Sequence, residues 1–210
     1  MDLLFQLFLP VRCSGCRIYE SSGFCLSCQS KLPKNPILFS IPPILEGVAL
    51  SFYSPPIEQT IHDLKFKHQK ILGWTLGQLM GKAVQKRDWD FHCIAPVPME
   101  KKKWKKRGYN QAEVLARGMS KVLGRPCRNI LEVLRSVSHQ VGLGRKERLE
   151  NVREAFGVSQ SETISKRSFL LVDDVVTTGA TLSECAAVLI KNGAEKVYAA
   201  CAARHLLSES

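Results

Sequence analysis

Two rhythms of apolar residues run through the chain beyond residue 47. Short continuous apolar runs, which suit strands covered on both faces, alternate with stretches whose apolar positions recur every three or four residues. VALSFYS (48–54) predicts a strand closed by Pro55-Pro56. Residues 57–68 and 71–86 predict helices, with Ile57, Ile61 and Leu64 on one face of the first. FHCIAPVP (91–98) predicts a short buried strand stopped by two prolines. Residues 110–123 predict an amphipathic helix with Asn110 as N-cap and Gly124 just past its end. SFLLV (168–172) predicts a buried strand, residues 180–194 a helix ended by Gly193, and VYAACAA (197–203) a further buried strand. Strands alternating with helices predict an α/β fold with a parallel sheet.

Upstream, the pattern changes. Residues 29–47 carry four prolines. Proline fixes φ and removes a backbone donor, so this stretch predicts an extended linker or wrap. The boundary is placed there, with a small module and its linker over 1–45 and the α/β domain over 46–210. A chain of 210 residues has room for both. No apolar run reaches the roughly 18 residues that a bilayer span requires, so no membrane insertion is expected. The opening MDLLFQLFLPVRC is apolar for about seven residues, carries Asp2 and lacks a small-residue cleavage site, which argues against a signal peptide and for a cytoplasmic location.

Charge adds a second layer. The formal net charge is +11, and residues 101–153 alone hold 15 Lys/Arg against 4 Asp/Glu. The remaining residues balance. Such concentration predicts an anion-binding surface for nucleic acid, pyrophosphate or lipid headgroup, the alternative being a solvated positive face that maintains solubility.

Four of the eight cysteines, Cys13, Cys16, Cys25 and Cys28, fall within sixteen residues in a C-x2-C-x8-C-x2-C pattern. Each Cys-x-x-Cys turn brings two thiolates together, and two such knuckles give Zn²⁺ a tetrahedral sulfur shell. Gly15 and Gly23 supply the tight turns. So short a segment cannot build its own core, so the metal would provide folding energy. Two disulfides suit a reducing cytosol poorly, and a redox dithiol would need one pair only. With all four positions filled by protein, the zinc would be structural.

The sequence SFLLVDDVVTTGAT (168–181) delivers Asp173 and Asp174 to a strand's carboxyl end, where open α/β sheets bind ligands. A turn with Thr177, Thr178, Gly179, Ala180 and Thr181 then opens into a helix. Backbone N–H groups at such a start, with the hydroxyls, form a phosphate nest, and Gly179 would let the backbone approach the anion. Because adjacent strand residues point to opposite faces, both carboxylates meet one ligand only if the chain is already turning at Asp174. A carboxylate pair beside a phosphate nest suits a sugar phosphate; the plainer alternative is an Asp-based helix cap. No G-x-x-x-x-G-K-[ST] or G-x-G-x-x-G is present, which excludes P-loop and dinucleotide readings.

LLVDDVVTTGAT resembles the phosphoribosyl-pyrophosphate (PRPP) motif of type I phosphoribosyltransferases. RGYNQAEVLA (107–116) resembles the RGFNQ-x-x-x-LA segment of the ComF family of competence proteins, with Tyr109 for the commoner Phe. So does the spacing Arg135-x4-Gln140-x7-Arg148-x2-Asn151-x3-Ala155-Phe156, and so does the leading double Cys-x-x-Cys with its proline-rich join. The resemblance spans nearly the whole chain. It implies that Asp173 and Asp174 contact the ribose hydroxyls of PRPP and stand at the catalytic position, with Val175 and Val176 leading into Thr177 to Thr181 around the 5-phosphate. It further implies that the loop from Ala95 to Met99, Pro96 and Val97 included, faces the pyrophosphate. Residues 135–150 would be the mobile loop that closes over it, with Arg107, Arg135, Gln140 and Arg148 as its polar groups and Mg²⁺ accompanying PRPP. A nucleobase or amine hood does not stand out in the sequence.

Lys101, Lys102, Lys103, Trp104, Lys105, Lys106 and Arg107 pack six cations around one aromatic. Cations neutralise phosphates and Trp104 could stack on an unpaired base, which predicts sequence-independent, salt-sensitive contact with single-stranded DNA. The alternative is a loop whose cations serve pyrophosphate only. The resemblance as a whole implies a protein assisting single-stranded DNA uptake in natural transformation, with a helicase or translocase as partner. Its rival is an active Mg²⁺-dependent phosphoribosyltransferase, amidophosphoribosyltransferase-like, with an unknown acceptor.

Overall fold

The computed structural model describes residues 11–135, 154–159 and 164–205. A two-stranded ribbon, β1 (Val11–Arg12) with β2 (Tyr19–Glu20), frames Cys13 and Cys16 between its strands, and the one-turn helix α1 (Leu26–Gln29) has Cys25 as its N-cap and Cys28 within it. Next come β3 (Ile37–Ile41), β4 (Ile44–Phe52), α2 (Ile57–Phe66), α3 (Lys70–Gln85), β5 (Cys93–Pro96), α4 (Lys101–Arg107) and α5 (Gln111–Leu123). A small ribbon of β6 (Leu131–Val133) and β7 (Phe156–Val158) precedes β8 (Phe169–Val176), α6 (Ala180–Lys191) and β9 (Val197–Arg204).

The main sheet has five strands in the order β3-β4-β9-β8-β5, all parallel except β3. Alternation of side chains across the strands splits the core in two. Leu170 and Val172 pack with Leu72, Leu76 and Leu115 of α3 and α5, whereas Phe169 and Leu171 pack with Cys185 and Leu189 of α6. The parallel strands are buried on both faces, as their continuous apolar runs predict. Asn110 caps α5 by accepting from the Ala112 N–H at 3.0 Å, and Gly124 ends that helix in the left-handed conformation, both as expected. Helices α3 and α5 cross at glycines. A Cβ on Gly77 would lie 2.2 Å from the Leu115 carbonyl, and one on Gly118 2.6 Å from the Trp74 carbonyl. Among the described residues, no helix is long and apolar enough to cross a membrane.

Three sequence expectations change. The proline-rich stretch 29–47 is more than a linker, because β3 is an edge strand of the main sheet and β4 begins at Ile44, four residues before the expected strand. Proline is tolerated at a sheet edge, and Pro42-Pro43 forms the turn between β3 and β4. Phe39 lies over Gly47, where a Cβ would meet its ring at 2.2 Å. Strand β8 does not turn at Asp174 but runs on to Val176. The cysteine module also shares the core of the α/β domain: Phe24 is fully buried with Ile57, Leu64 and Leu72, and Thr75 donates to the Ser22 carbonyl at 2.9 Å.

Candidate functional site

The carboxyl ends of β5 and β8 open into a cleft of about 310 Å³. Asp173 and Asp174 form its floor and Thr181, in the first turn of α6, lines one side. The two carboxylates reach this space from opposite faces of β8. Asp173 lies towards α6, where its charge adds to burial in pushing the Cys185 and Cys201 thiols up. Asp174 lies towards α2, with its carboxylate 2.5 Å from the Lys65 ammonium. Backbone N–H groups hold the pair in place: that of Asp174 donates to Asp173 Oδ1 at 2.8 Å, and that of Val175 to Asp174 Oδ1 at 2.9 Å. Burial and the neighbouring Asp174 charge push the Asp173 carboxyl up to about 8.

Sequence reasoning missed Lys65, although a signal was present. Lys65 continues the i, i+4 row Ile57–Ile61 of the buried face of α2, a position that usually takes an apolar residue. Burial opposes its charge, but the Asp174 and Asp173 carboxylates outweigh that effect, and its pKa is raised. Because Asp174 already holds an internal cation, the carboxylate pair is not an open site for a divalent ion.

The rest of the Asp173–Thr181 stretch divides by burial. Val176 and Ala180 sit in the core on the α6 side, Val175 packs against the opposite core, and Thr177 is exposed. Gly179 adopts φ +79°, and a Cβ there would lie 2.3 Å from Ile41 of β3. Its smallness therefore serves the edge strand as well as the helix start. Thr178 Oγ1 lies 3.4 Å from the Ala180 N–H.

On the opposite wall Val97 lines the cleft, while Pro96 closes β5 opposite Val172. Asn110 fixes this wall by donating to the Val97 carbonyl at 2.9 Å. The Tyr109 hydroxyl donates to the Leu64 carbonyl, tying the turn before α5 to α2, and burial pushes that phenol up to about 12. The Tyr–Asn pair of the RGYN segment thus positions elements around the cleft.

Helix α4 splits the basic segment. Lys103 and Arg107 line the carboxylate cleft, and Arg107 also bonds Gln111 and lies 5.6 Å from the Phe66 ring. A second hollow of about 300 Å³ is lined by Met99, Lys101, Trp104 and Lys105, with Trp104 53% exposed. Met99 lines both spaces. Lys102 and Lys106 are exposed. Arg135 is exposed just after β6, and Gln140 and Arg148 lie outside the described residues.

The sulfur atoms of Cys13, Cys16, Cys25 and Cys28 all lie within 4.8 Å of one another, with Cys16 and Cys25 at 3.6 Å. A tetrahedral ion with metal–sulfur bonds of about 2.3 Å spaces its ligands by about 3.8 Å, so the set fits. Burial pushes the Cys13 thiol up, but backbone N–H groups of Cys25, Cys16 and Gly15 prevail and hold it down to about 6. Burial and the neighbouring thiols push Cys28 the other way. This four-cysteine cluster could hold a metal ion.

The phosphoribosyl transferase domain family matches residues 106–209. Competence protein F of Haemophilus influenzae is 34% identical over 200 residues, covering 88% of this chain and 86% of that protein. DNA utilization protein YhgH of Escherichia coli K12 is 31% identical over 185 residues, covering 84% and 80%. Among solved structures, glutamine PRPP amidotransferase from B. subtilis aligns with a TM-score of 0.43 at 18% identity, covering 62% of this chain and 26% of that one. Purine phosphoribosyltransferase from Pyrococcus horikoshii gives 0.39 at 16% identity, covering 60% and 68%. With a phosphoribosyltransferase-type sheet, a leading four-cysteine cluster and sequence identity sustained over most of its length, the chain belongs to the competence protein F (ComF) family.

Proposed function

We propose that this protein assists the handling of incoming single-stranded DNA in natural transformation and carries a ribose-phosphate site of the PRPP type. The observation that carries the reading is the convergence of Asp173, Asp174, Thr181, Lys103 and Arg107 on one cleft. Carboxylates accept from vicinal hydroxyls, the helix start with Thr177 to Thr181 suits a 5-phosphate, and Lys103 and Arg107 suit a pyrophosphate. Mg²⁺, which phosphoribosyltransferases generally use, would ride on the pyrophosphate oxygens and water. Zn²⁺ in the cysteine cluster would be structural. The outer face of α4, with Lys101, Trp104 and Lys105, would contact the strand, and the setting would be cytoplasmic beside a helicase or translocase. The names of the relatives, competence protein F and DNA utilization protein, support this role.

The rival reading, a Mg²⁺-dependent phosphoribosyltransferase with an unidentified acceptor, is favoured by the domain match over 106–209. In that case Lys103 and Arg107 would stabilise the departing pyrophosphate. Calorimetric titration of Mg²⁺–PRPP into the zinc-loaded protein, repeated with saturating oligonucleotide, separates the two. Coupled binding supports a DNA-handling protein with a regulatory pocket. Binding indifferent to DNA supports the transferase. Asp173→Asn with Asp174→Asn should abolish PRPP binding in a folded protein, and undiminished binding would sink the site.

A further inference from the structure

The motif places two carboxylates in the cleft, but the chain supplies a cation of its own beside them. Lys65 reaches in from the last turn of α2, its side chain 23% exposed, and its ammonium lies 2.5 Å from Asp174, which is 7% exposed. The charged or titratable groups that act on it are Asp174, Asp173 and Tyr53. A partly buried ion pair of this closeness persists because separating either partner leaves an uncompensated charge in a poorly solvated place. A divalent cation bound at the same carboxylates would have to displace the ammonium or endure its repulsion. Magnesium also demands near-ideal octahedral oxygen geometry. The metal that the fold family implies therefore does not fit at the carboxylate pair itself.

We propose that Lys65 is a built-in cation that lets the cleft hold a ribose 5-phosphate without a divalent metal. The inference rests on the ribose-phosphate reading of this site. The ammonium neutralises Asp174, so a phosphate dianion entering the cleft does not meet an uncompensated acidic floor. The same contact fixes the Asp174 carboxylate, leaving it oriented to accept from a ribose hydroxyl beside Asp173. Lys103 and Arg107 on the facing wall complete the balance, with Glu100 3.5 Å from Lys103. A metal would then be required only for ligands that bring a pyrophosphate of their own.

The test titrates ribose 5-phosphate into the zinc-loaded full chain by calorimetry, in magnesium-free buffer and again with millimolar MgCl₂. Wild-type affinity should differ by less than about threefold between the two. Lys65→Gln should weaken binding at least about tenfold without magnesium and recover part of the loss when magnesium is added. Lys65→Arg, which keeps the charge, should stay near wild type. Wild-type binding that appears only with magnesium overturns the inference and leaves the ribose-phosphate site standing. So does a folded Lys65→Gln protein that binds as tightly as wild type in magnesium-free buffer. Absence of binding under every condition overturns the ribose-phosphate reading and this inference with it.

Discussion

Phe24→Ala tests whether the cysteine module is a separate bead or part of the domain. Phe24 is fully buried in the core cluster that also holds Ile57, Leu64 and Leu72 of α2 and α3. Its removal leaves a cavity that those neighbours fill only in part, at a cost of about 3–5 kcal/mol. For a chain of this size 1 kcal/mol shifts the melting temperature by about 2–4 °C, so the variant should melt roughly 10 °C below wild type. The assay is differential scanning calorimetry of zinc-loaded protein at equal concentration. One cooperative transition, displaced downward as a whole, is the expected record. An unmoved main transition preceded by a small new one would refute the argument, because it would mean that the module melts alone and that its contacts with α2 and α3 carry little free energy.

Asp173→Asn should lose ribose-phosphate binding yet gain stability. The wild-type carboxyl is raised to about 8 from an ordinary value near 4, so the native state holds a proton that the unfolded chain releases, and wild-type stability falls as pH rises through that window. The advantage of Asn should therefore widen between about pH 4 and 8 in urea melts, and a constant gap would refute the shift. Lys101→Gln with Lys105→Gln should flatten the salt dependence of single-strand binding by about 0.7 per lost phosphate contact in fluorescence anisotropy; an unchanged slope acquits that face. Trp104→Ala should cost about 1–3 kcal/mol of affinity if the indole stacks on a base, and no loss would remove it from the interface. Chelation should release about one zinc per chain and lower the melting temperature as Phe24→Ala does; a metal-free protein of full stability would end the metal assignment.

What the sequence disclosed and what it hid have distinct physical causes. The order of elements in the Asp173–Thr181 stretch was legible because a buried strand, two acids and a Thr-Gly turn are adjacent in the chain, but the strand end was not, since β8 carries both acids within it and runs on to Val176. Asn110 and Gly124 were legible for the same reason, since caps act within a few residues. β3 was hidden because four prolines dominate the stretch around it, while its strand signal is the alternation of Ile37, Phe39 and Ile41. The partner that explains that alternation is Gly47 across the turn, a gap filled by the Phe39 ring. The division of the basic segment was also invisible in the chain. Its charge reads as one block, and only the helical turn of α4 sends Lys103 and Arg107 into the cleft and Lys101, Trp104 and Lys105 to the second hollow.

The segment HDLKFKHQK (62–70) shows most clearly why a charge pattern alone misleads. Mixed acids and bases at a helix end ordinarily mark a solvated face. Here Asp63 is fully buried and receives Arg17 of the cysteine module at 2.9 Å, Gln59 at 2.8 Å and Lys67 at 2.8 Å. Burial raises its carboxyl, but Lys67, Gln59 and Arg17 prevail and hold it below the usual range. Two residues on, Lys65 pairs with Asp174 in the cleft. One helical turn of α2 thus anchors the cysteine module through Asp63 and compensates the acidic floor of the cleft through Lys65. Asp63 is the buried member of this set, while the Arg17 and Lys67 side chains are 46% and 44% exposed, so either cation removed alone leaves the buried carboxylate short of a partner. The cysteine module and the acidic pair of β8 are therefore joined through one turn of α2 that neither cysteine spacing nor the acidic motif could reveal, because the Arg17–Asp63 and Lys65–Asp174 contacts are long-range in sequence and depend on how α2 packs.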